Sequence, residues 1–366
     1  MIFVVNGSQL VYLPFFSFNG HEYRSPAYQF SMVFTLVLTL VSIVWTLRVC
    51  WIVWKVRVFH INMSIISNFY FLQYFEVVVG KLLMAPWQYG LFATPGVLET
   101  THFLAWASQE KTKMPRVRQF DDAFPMFLGG FLIWHYMMSM VFFIFFYCLE
   151  RVIATALLGS YEKHSRSYIS VSILICANLA TLLVTYLLFF VHIEFISSVY
   201  ICSAVVSVSV IMYVAILLVN VRISSELKND TFHKRKKQFN KYSLAYRFQL
   251  EENLRAFQLA RKVIVWIGLY IIANILVIFL INVDFVSASW TLVLVFVVEN
   301  CIYLNPLLIC TVTVTGIEPW RLVFVRDFSS FFKTRVDSEA KTQKVQKTSV
   351  SGETEIYFRD LKAMWA

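Results

Sequence analysis

The sequence predicts an all-α membrane protein, a bundle of seven transmembrane helices. Three observations carry this reading. Apolar residues make up 58% of the 366, while charged residues make up only 15%, against about 25% in an ordinary soluble domain. So few charges cannot cover a soluble protein of this size, and so apolar a chain cannot stay disordered. Seven apolar runs recur along the chain, each long enough to cross hydrocarbon as a helix, with no ten-residue alternation of the barrel kind. The segments between them alternate between basic and charge-balanced.

Residues 1–27 read as an extracellular N-terminal tail with no cleavable signal pattern. The first run, Tyr28 to Trp54, stops at Lys55-Val56-Arg57, and the second, Ile61 to Met84, stops before Pro86. A polar stretch follows to Asp122. The third run is Ala123 to Leu149, ending at Glu150-Arg151. The remaining four are Tyr168 to Val191, Phe195 to Val219, Val263 to Ile281 and Ala288 to Val314. Beyond them, Trp320, Phe324, Phe328 and Phe331 recur at helical spacing after Pro319, which predicts an interfacial amphipathic helix within 315–332. Residues 333–366 are polar and read as a disordered cytoplasmic tail.

Orientation follows from the loops. Residues 221–262 carry eleven Lys or Arg against four Asp or Glu, and the short joint Lys55 to His60 is purely basic. Residues 87–122 carry four of each sign, and the joints at 192–194 and 282–284 have no Lys or Arg. The basic set is expected in the cytoplasm, which puts the N-terminus outside and the C-terminus inside. The same bias accounts for the net charge of +10. His233-Lys234-Arg235-Lys236-Lys237, lying between two spans, faces anionic lipid on this reading, and no nucleic-acid partner is expected.

Catalytic patterns are missing. The seven histidines are scattered, with no His-x-x-x-His pair to put two ligands on one helical face. No phosphate-cradling glycine loop or Gly-x-Ser-x-Gly elbow is present. No enzyme activity, cofactor or metal is expected. The six cysteines all fall in or beside apolar runs, so no extracellular disulfide framework is available.

Ionisable and amide side chains inside the spans are expensive and mark candidate sites. Glu76 and Lys81 lie in the second run, Glu299 and Asn300 in the seventh. They read either as internal pairs that fix helix register or as parts of a ligand pocket or polar switch. Asn68 and Asn305 sit at about the same depth, which suggests a hydrogen bond between helices, and Pro306 offers a place to bend. Glu76, Glu299, Asn68, Asn305 and Pro306 thus form a candidate intramembrane polar cluster. Trp134, His135 and Tyr136 in the third run are candidate pocket-lining residues, with simple packing as the alternative. Asn6-Gly7-Ser8, Asn62-Met63-Ser64 and Asn229-Asp230-Thr231 match the glycosylation pattern, and only Asn6 faces the lumen in this orientation.

Three segments carry a family resemblance. They are Glu150-Arg151-Val152-Ile153-Ala154-Thr155 with Tyr161-Glu162-Lys163 and Arg166, Tyr246-Arg247-Phe248-Gln249-Leu250-Glu251-Glu252-Asn253 with Arg255, and Phe59-His60-x-Asn62. The chain resembles the nematode Sre chemoreceptors, serpentine receptor class epsilon, over nearly its whole length. The resemblance implies a receptor-like seven-helix bundle in the plasma membrane of sensory neurons. It would sense an environmental small molecule and signal through a heterotrimeric G protein. Glu150-Arg151 also looks like the acid–arginine pair that closes the third helix of rhodopsin-like receptors, which makes the pair a candidate G-protein switch. Asn305-Pro306 looks like their seventh-helix Asn-Pro-x-x-Tyr, though Ile309 stands in the last place. There is no Cys at the outer end of the third run and no proline in the sixth. A seven-span channel or transporter is the rival reading, but the inverted repeats or paired broken helices expected of a transporter are absent from the sequence.

Overall fold

The computed structural model describes residues 1–15, 17–18, 25–92, 103–104, 114–157, 167–230, 244–282 and 287–332. His233 to Lys237, the sequence motif at 161–166 and the tail 333–366 lie outside the described residues. The chain falls into two units, residues 1–317 and 318–366.

In the first unit, helix α1 (Pro26–Lys55) opens with Ser25 as its cap, whose Oγ accepts from the Tyr28 amide at 3.4 Å. Pro26 then sits in the first turn, where no amide donor is missed. The second apolar run folds as two helices, α2 (Ile61–Leu72) and α3 (Tyr74–Gln88), with a tight turn at Gln73. Gln73 between them keeps helical backbone angles, φ −58° and ψ −19°, and its Nε2 donates to Ser139 Oγ at 3.3 Å and Asn178 Oδ1 at 3.4 Å, a polar anchor to two neighbouring helices within the apolar run. The next helices are α4 (Phe124–Ala156), α5 (Ser167–Phe189), α6 (Phe195–Asp230), α7 (Leu244–Asn282) and α8 (Ala288–Gly316). Among the described residues, six helices are long and apolar enough to cross a membrane: α1 and α4 to α8. The chain is thus a helical membrane bundle. At 1.5 Å per residue the 36 residues of α6 reach about 54 Å, well beyond a hydrocarbon core of about 30 Å.

Helix α5 buries small residues and exposes large apolar ones. On α5, Val171, Ile175, Leu179, Leu182 and Tyr186 form an exposed stripe, while Ser170, Ala177, Thr181 and Thr185 are buried. In lipid that pattern is stable, because helix association relies on close packing of small residues rather than on hydrophobic contrast. Along α1, Thr35, Thr39 and Ser42 each donate to the carbonyl four residues back at 2.8 Å, so no hydroxyl is left to desolvate alone. Helix α4 runs through the middle of the bundle and packs on α3, α5 and α6. Backbone meets backbone where it crosses α3: a Cβ placed on Gly129 would lie 2.5 Å from the Gly80 carbonyl oxygen.

The N-terminal segment is not a free tail. Strands β1 (Ile2–Val5) and β2 (Gln9–Tyr12) form an antiparallel hairpin, with Phe3 opposite Val11. The strands are joined by the three residues Asn6, Gly7 and Ser8, and Asn6 and Gly7 both take positive φ, 51° and 76°, where the Ser8 amide donates back to Val5 O at 3.3 Å. Strand β3 (Ser17–Phe18) pairs with β4 (Phe103–Leu104), and β5 (Arg116–Val117) adds in parallel beside β1. This cap is driven in by aromatics. Phe3 packs edge-on against Phe15, Phe18 and Phe127, and Tyr12 stands edge-on to Phe195 and tilted against Trp134. Leu13 seats against Gly130, where any Cβ would come within 2.2 Å of its Cδ2.

In the second unit, α9 runs from Glu318 to Phe332.

Candidate functional site

The arginine that ends the third apolar run is fully buried, and so is its neighbour: Arg151 and Glu150 are both 0% exposed. Adjacent residues on a helix do not face one another, yet these two side chains turn toward each other as a two-pronged pair. Arg151 Nε donates to Glu150 Oε2 at 2.5 Å and an Nη to Oε1 at 2.8 Å. The other Nη donates to Asn253 Oδ1 on α7 at 2.9 Å and lies 3.5 Å from Glu252 Oε1. The guanidinium is thus shared between α4 and α7.

The polar node continues outward from that pair. Asn253 Nδ2 donates to Asn220 Oδ1 on α6 at 3.1 Å and to Thr155 Oγ1 on α4 at 3.2 Å. Asn220 Nδ2 donates to the same Thr155 hydroxyl at 3.1 Å. Glu252 Oε1 accepts the His60 amide at 2.8 Å, which brings in the start of α2. Burial holds the His60 imidazole below its ordinary pKa, although Glu150 pulls it up. A neutral ring fits its place, since Nδ1 accepts from the Asn62 amide at 3.3 Å. The node therefore fastens the ends of four helices with charge-assisted bonds in a dry setting, where such bonds are strong.

The sequence singles out most of these participants, with a role assigned only to Glu150 and Arg151 as a candidate switch. Glu150 to Thr155, Glu252-Asn253 and His60-x-Asn62 belong to the three segments that carried the family resemblance, and the fold brings all three to this node. Asn220 was missed. A single amide near the end of an apolar run carries no distinguishing signal.

The expected intramembrane cluster is not one cluster. Asn68 and Asn305 do not pair: Asn68 Nδ2 donates to Ser64 O on its own helix at 2.9 Å, and Asn305 Oδ1 accepts from Tyr136 at 2.7 Å. Equal depth had said nothing about which faces the two amides occupy. Glu76 joins His135 at 2.6 Å, and His135 Nε2 reaches Thr181 at 3.2 Å, linking α3, α4 and α5. Glu299 accepts the Ser17 amide at 3.2 Å and Gln88 Nε2 at 2.9 Å, so it fastens the N-terminal cap to α8 and α3. Beside it, Lys81 Nζ donates to Asn300 Oδ1 at 2.8 Å and stands over the Tyr303 ring. Pro306 lies inside α8.

The three candidate pocket residues point in different directions. Trp134 Nε1 donates to Tyr12 O at 2.8 Å under the cap, and His135 is committed to Glu76. Tyr136 alone of the three lines a cavity of about 250 Å³ among α2, α4, α7 and α8, together with Asn305 and Pro306. Three consecutive helical residues are about 100° apart, so they do not share one pocket wall. Among the described residues, no three His, Cys, Asp or Glu converge to hold a metal ion.

A multi-pass helical bundle whose central helix ends in a buried arginine node, with a cavity among its helices, is the layout of a serpentine membrane receptor. The family model described as Sre G protein-coupled chemoreceptor matches residues 1–366, and the chain belongs to that family. It is similar to serpentine receptor class epsilon-37 of Caenorhabditis elegans, 28% identical over 100% of this chain and 99% of that one. Class epsilon-38 from the same organism is 26% identical over 97% of each chain, and class epsilon-45 is 27% identical over the whole of both. No solved structure matches the chain.

Proposed function

We propose that this receptor detects an environmental small molecule and passes the signal to a heterotrimeric G protein, with Arg151 as the switch. In this reading the basic loops face the cytoplasm, the N-terminal cap faces outward, and the receptor works in the plasma membrane of a sensory neuron. The observation that carries it is the Arg151 node. A side chain that fastens α4 to α7 at one end of the bundle must let go before that end can open, and the cavity above supplies a place from which a ligand can bias the equilibrium. A ligand that favours the open arrangement shifts the population towards it.

The test starts from a ligand screen of the expressed receptor with a second-messenger readout. Arg151→Lys then discriminates a switch from a plain anchor at the membrane surface. Lysine keeps the charge but cannot reproduce the planar fork that holds Glu150 and Asn253 together. The expected result is normal surface expression with lost coupling. A Lys variant that reaches the surface and signals like wild type removes the switch role.

The orientation has its own check. Asn6 stands exposed in the hairpin turn, with Gly7 and Ser8 exposed beside it. With the cap outside, glycosidase treatment is expected to shift the mobility of the wild-type chain, and Asn6→Gln is expected to abolish that shift. Glycan on Asn229 would place the α6–α7 loop outside and reverse the orientation.

A further inference from the structure

A second hollow, a groove between α1 and α3, has a lysine in its wall. Its volume is about 350 Å³, within the range of small-molecule sites. Leu36, Leu40 and Ile43 of α1 and Val78 and Leu82 of α3 give it an apolar lining, and Phe296 and Asn300 of α8 complete the wall. Leu36, Leu40 and Leu82 are also between 51% and 63% exposed on the outside of the bundle, so the groove faces the bilayer directly. Thr35 and Thr39 line it too, but their hydroxyls are turned to carbonyls of their own helix.

The Lys81 amine is the polar exception. Lys81 and Asn300 both line the groove, and the bond between them, Nζ to Oδ1 at 2.8 Å, places the amine at its wall. The Tyr303 ring holds it from another side, with Nζ 4.1 Å from the ring centroid. Lys81 is only partly buried. An ammonium has three donors, and Asn300 takes one. Glu299, next to Asn300 in sequence, gives its oxygens to Ser17 and Gln88, and among the described residues no carboxylate forms an ion pair with Lys81. A cation in hydrocarbon is expensive and is normally paired, so the complement of this wall is an acid.

The depth of the amine selects the kind of acid. Gln88 ends α3 and donates to Ser17 O in the cap, and Lys81 lies seven residues earlier, about 10 Å below that end. Tyr28 meets Phe296 and Trp45 meets Thr311, so α1 descends alongside α8 and carries the apolar lining from Leu36 to Ile43 below the level of Asn300. A lipid phosphate stays ionised in the headgroup layer. A carboxylic acid enters hydrocarbon in its neutral form and shares its proton with the amine, which leaves no net charge added.

We infer that the groove between α1 and α3 binds a single-chain fatty acid from the bilayer, with its carboxyl group on Lys81 and its chain along Leu36, Leu40 and Ile43. The inference goes beyond the receptor reading, and its test contains no G protein, so the two can fail separately.

The full chain in phosphatidylcholine nanodiscs is irradiated with decanoic acid that carries a diazirine at mid-chain. Label is expected on α1 between Met32 and Ile43 or on α3 between Val78 and Ala85. Unlabelled decanoic acid is expected to displace the probe at membrane concentrations roughly 10-fold lower than decanol, the worth of a hydrogen bond to a charged group. Lys81→Met should bring that ratio to about one, and Lys81→Gln gives the same reading should the first variant fail to accumulate. Label absent from the groove, or spread evenly over the lipid-facing helices, overturns the inference. Equal displacement by decanol in the wild-type chain overturns it, and so does an acid preference that survives loss of the Lys81 amine. Phosphatidylglycerol in the disc that displaces the probe as well as decanoic acid does would assign the site to a lipid phosphate and overturn the fatty acid.

Discussion

Replacing Glu150 by alanine is expected to destabilise the folded bundle by about 3 kcal/mol. The guanidinium of Arg151 is 0% exposed and loses two charge-assisted bonds at once. Breaking a buried pair from one side typically costs 3–5 kcal/mol, because the surviving charge stays buried without its partner. Glu252 still lies 3.5 Å away and Asn253 still accepts, which puts the expectation at the lower end of that range. The double variant Glu150→Ala with Arg151→Met removes both charges and should recover much of the loss, since an apolar replacement leaves nothing unpaired. Unfolding in nanodiscs and surface expression measure both. If the double variant loses as much as the two single losses added together, the pair is not the unit described, because coupled neighbours are non-additive.

Hydropathy made most of the bundle legible. Six helices could be read from run length alone, because in lipid a long apolar run has to satisfy its own backbone and therefore coils. The anchoring role of Gln73 was not legible. One glutamine in an apolar run reads as a tolerated polar residue, and only the positions of Ser139 and Asn178 on other helices turn it into an anchor. The N-terminal hairpin was legible and went unread. Asn6-Gly7 between Ile2–Val5 and Gln9–Tyr12 is a strong short-range hairpin signal, but the same residues also match a glycosylation pattern, and that reading took precedence.

The site divides along the same line. That Glu150 and Arg151 matter could be read from their place at the end of a span. That Asn253, Asn220 and Thr155 complete the node could not, because they are separated by long stretches of chain and meet only when α4, α6 and α7 pack. Depth arithmetic failed for Asn68 and Asn305 for a related reason. It fixes height in the membrane and leaves rotation about the helix axis free, and rotation decides which amides meet. Trp134, His135 and Tyr136 adjoin in sequence and therefore diverge in direction, so Tyr136 lines the cavity while Trp134 and His135 are bonded elsewhere.

Replacing Gly129 by valine is expected to abolish stable folding of the bundle. A Cβ at this position would stand 2.5 Å from the Gly80 carbonyl oxygen, and one at Gly80 would stand 2.7 Å from the Gly129 carbonyl oxygen. Both obstacles are backbone, so no rotamer change relieves either, and α3 and α4 have to move apart. Overpacking in a close-fitting core typically costs 1–3 kcal/mol, occasionally more. Here the separation also pulls on the bond between Glu76 on α3 and His135 on α4, which sits nearby along the same seam. A loss of about 3 kcal/mol or more is expected for Gly129→Val, read as lost surface expression and a lowered unfolding temperature. Gly129→Ala should show a smaller loss in the same direction. Gly268 on α7 provides the control, because nothing lies within 4 Å of a Cβ placed there. Gly268→Ala is expected to be neutral or to stabilise by up to about 1 kcal/mol, the ordinary gain of alanine over glycine in a helix. If Gly129→Ala and Gly268→Ala behave alike, the helices are not in backbone contact at Gly80 and Gly129, and the close crossing of α3 and α4 is wrong.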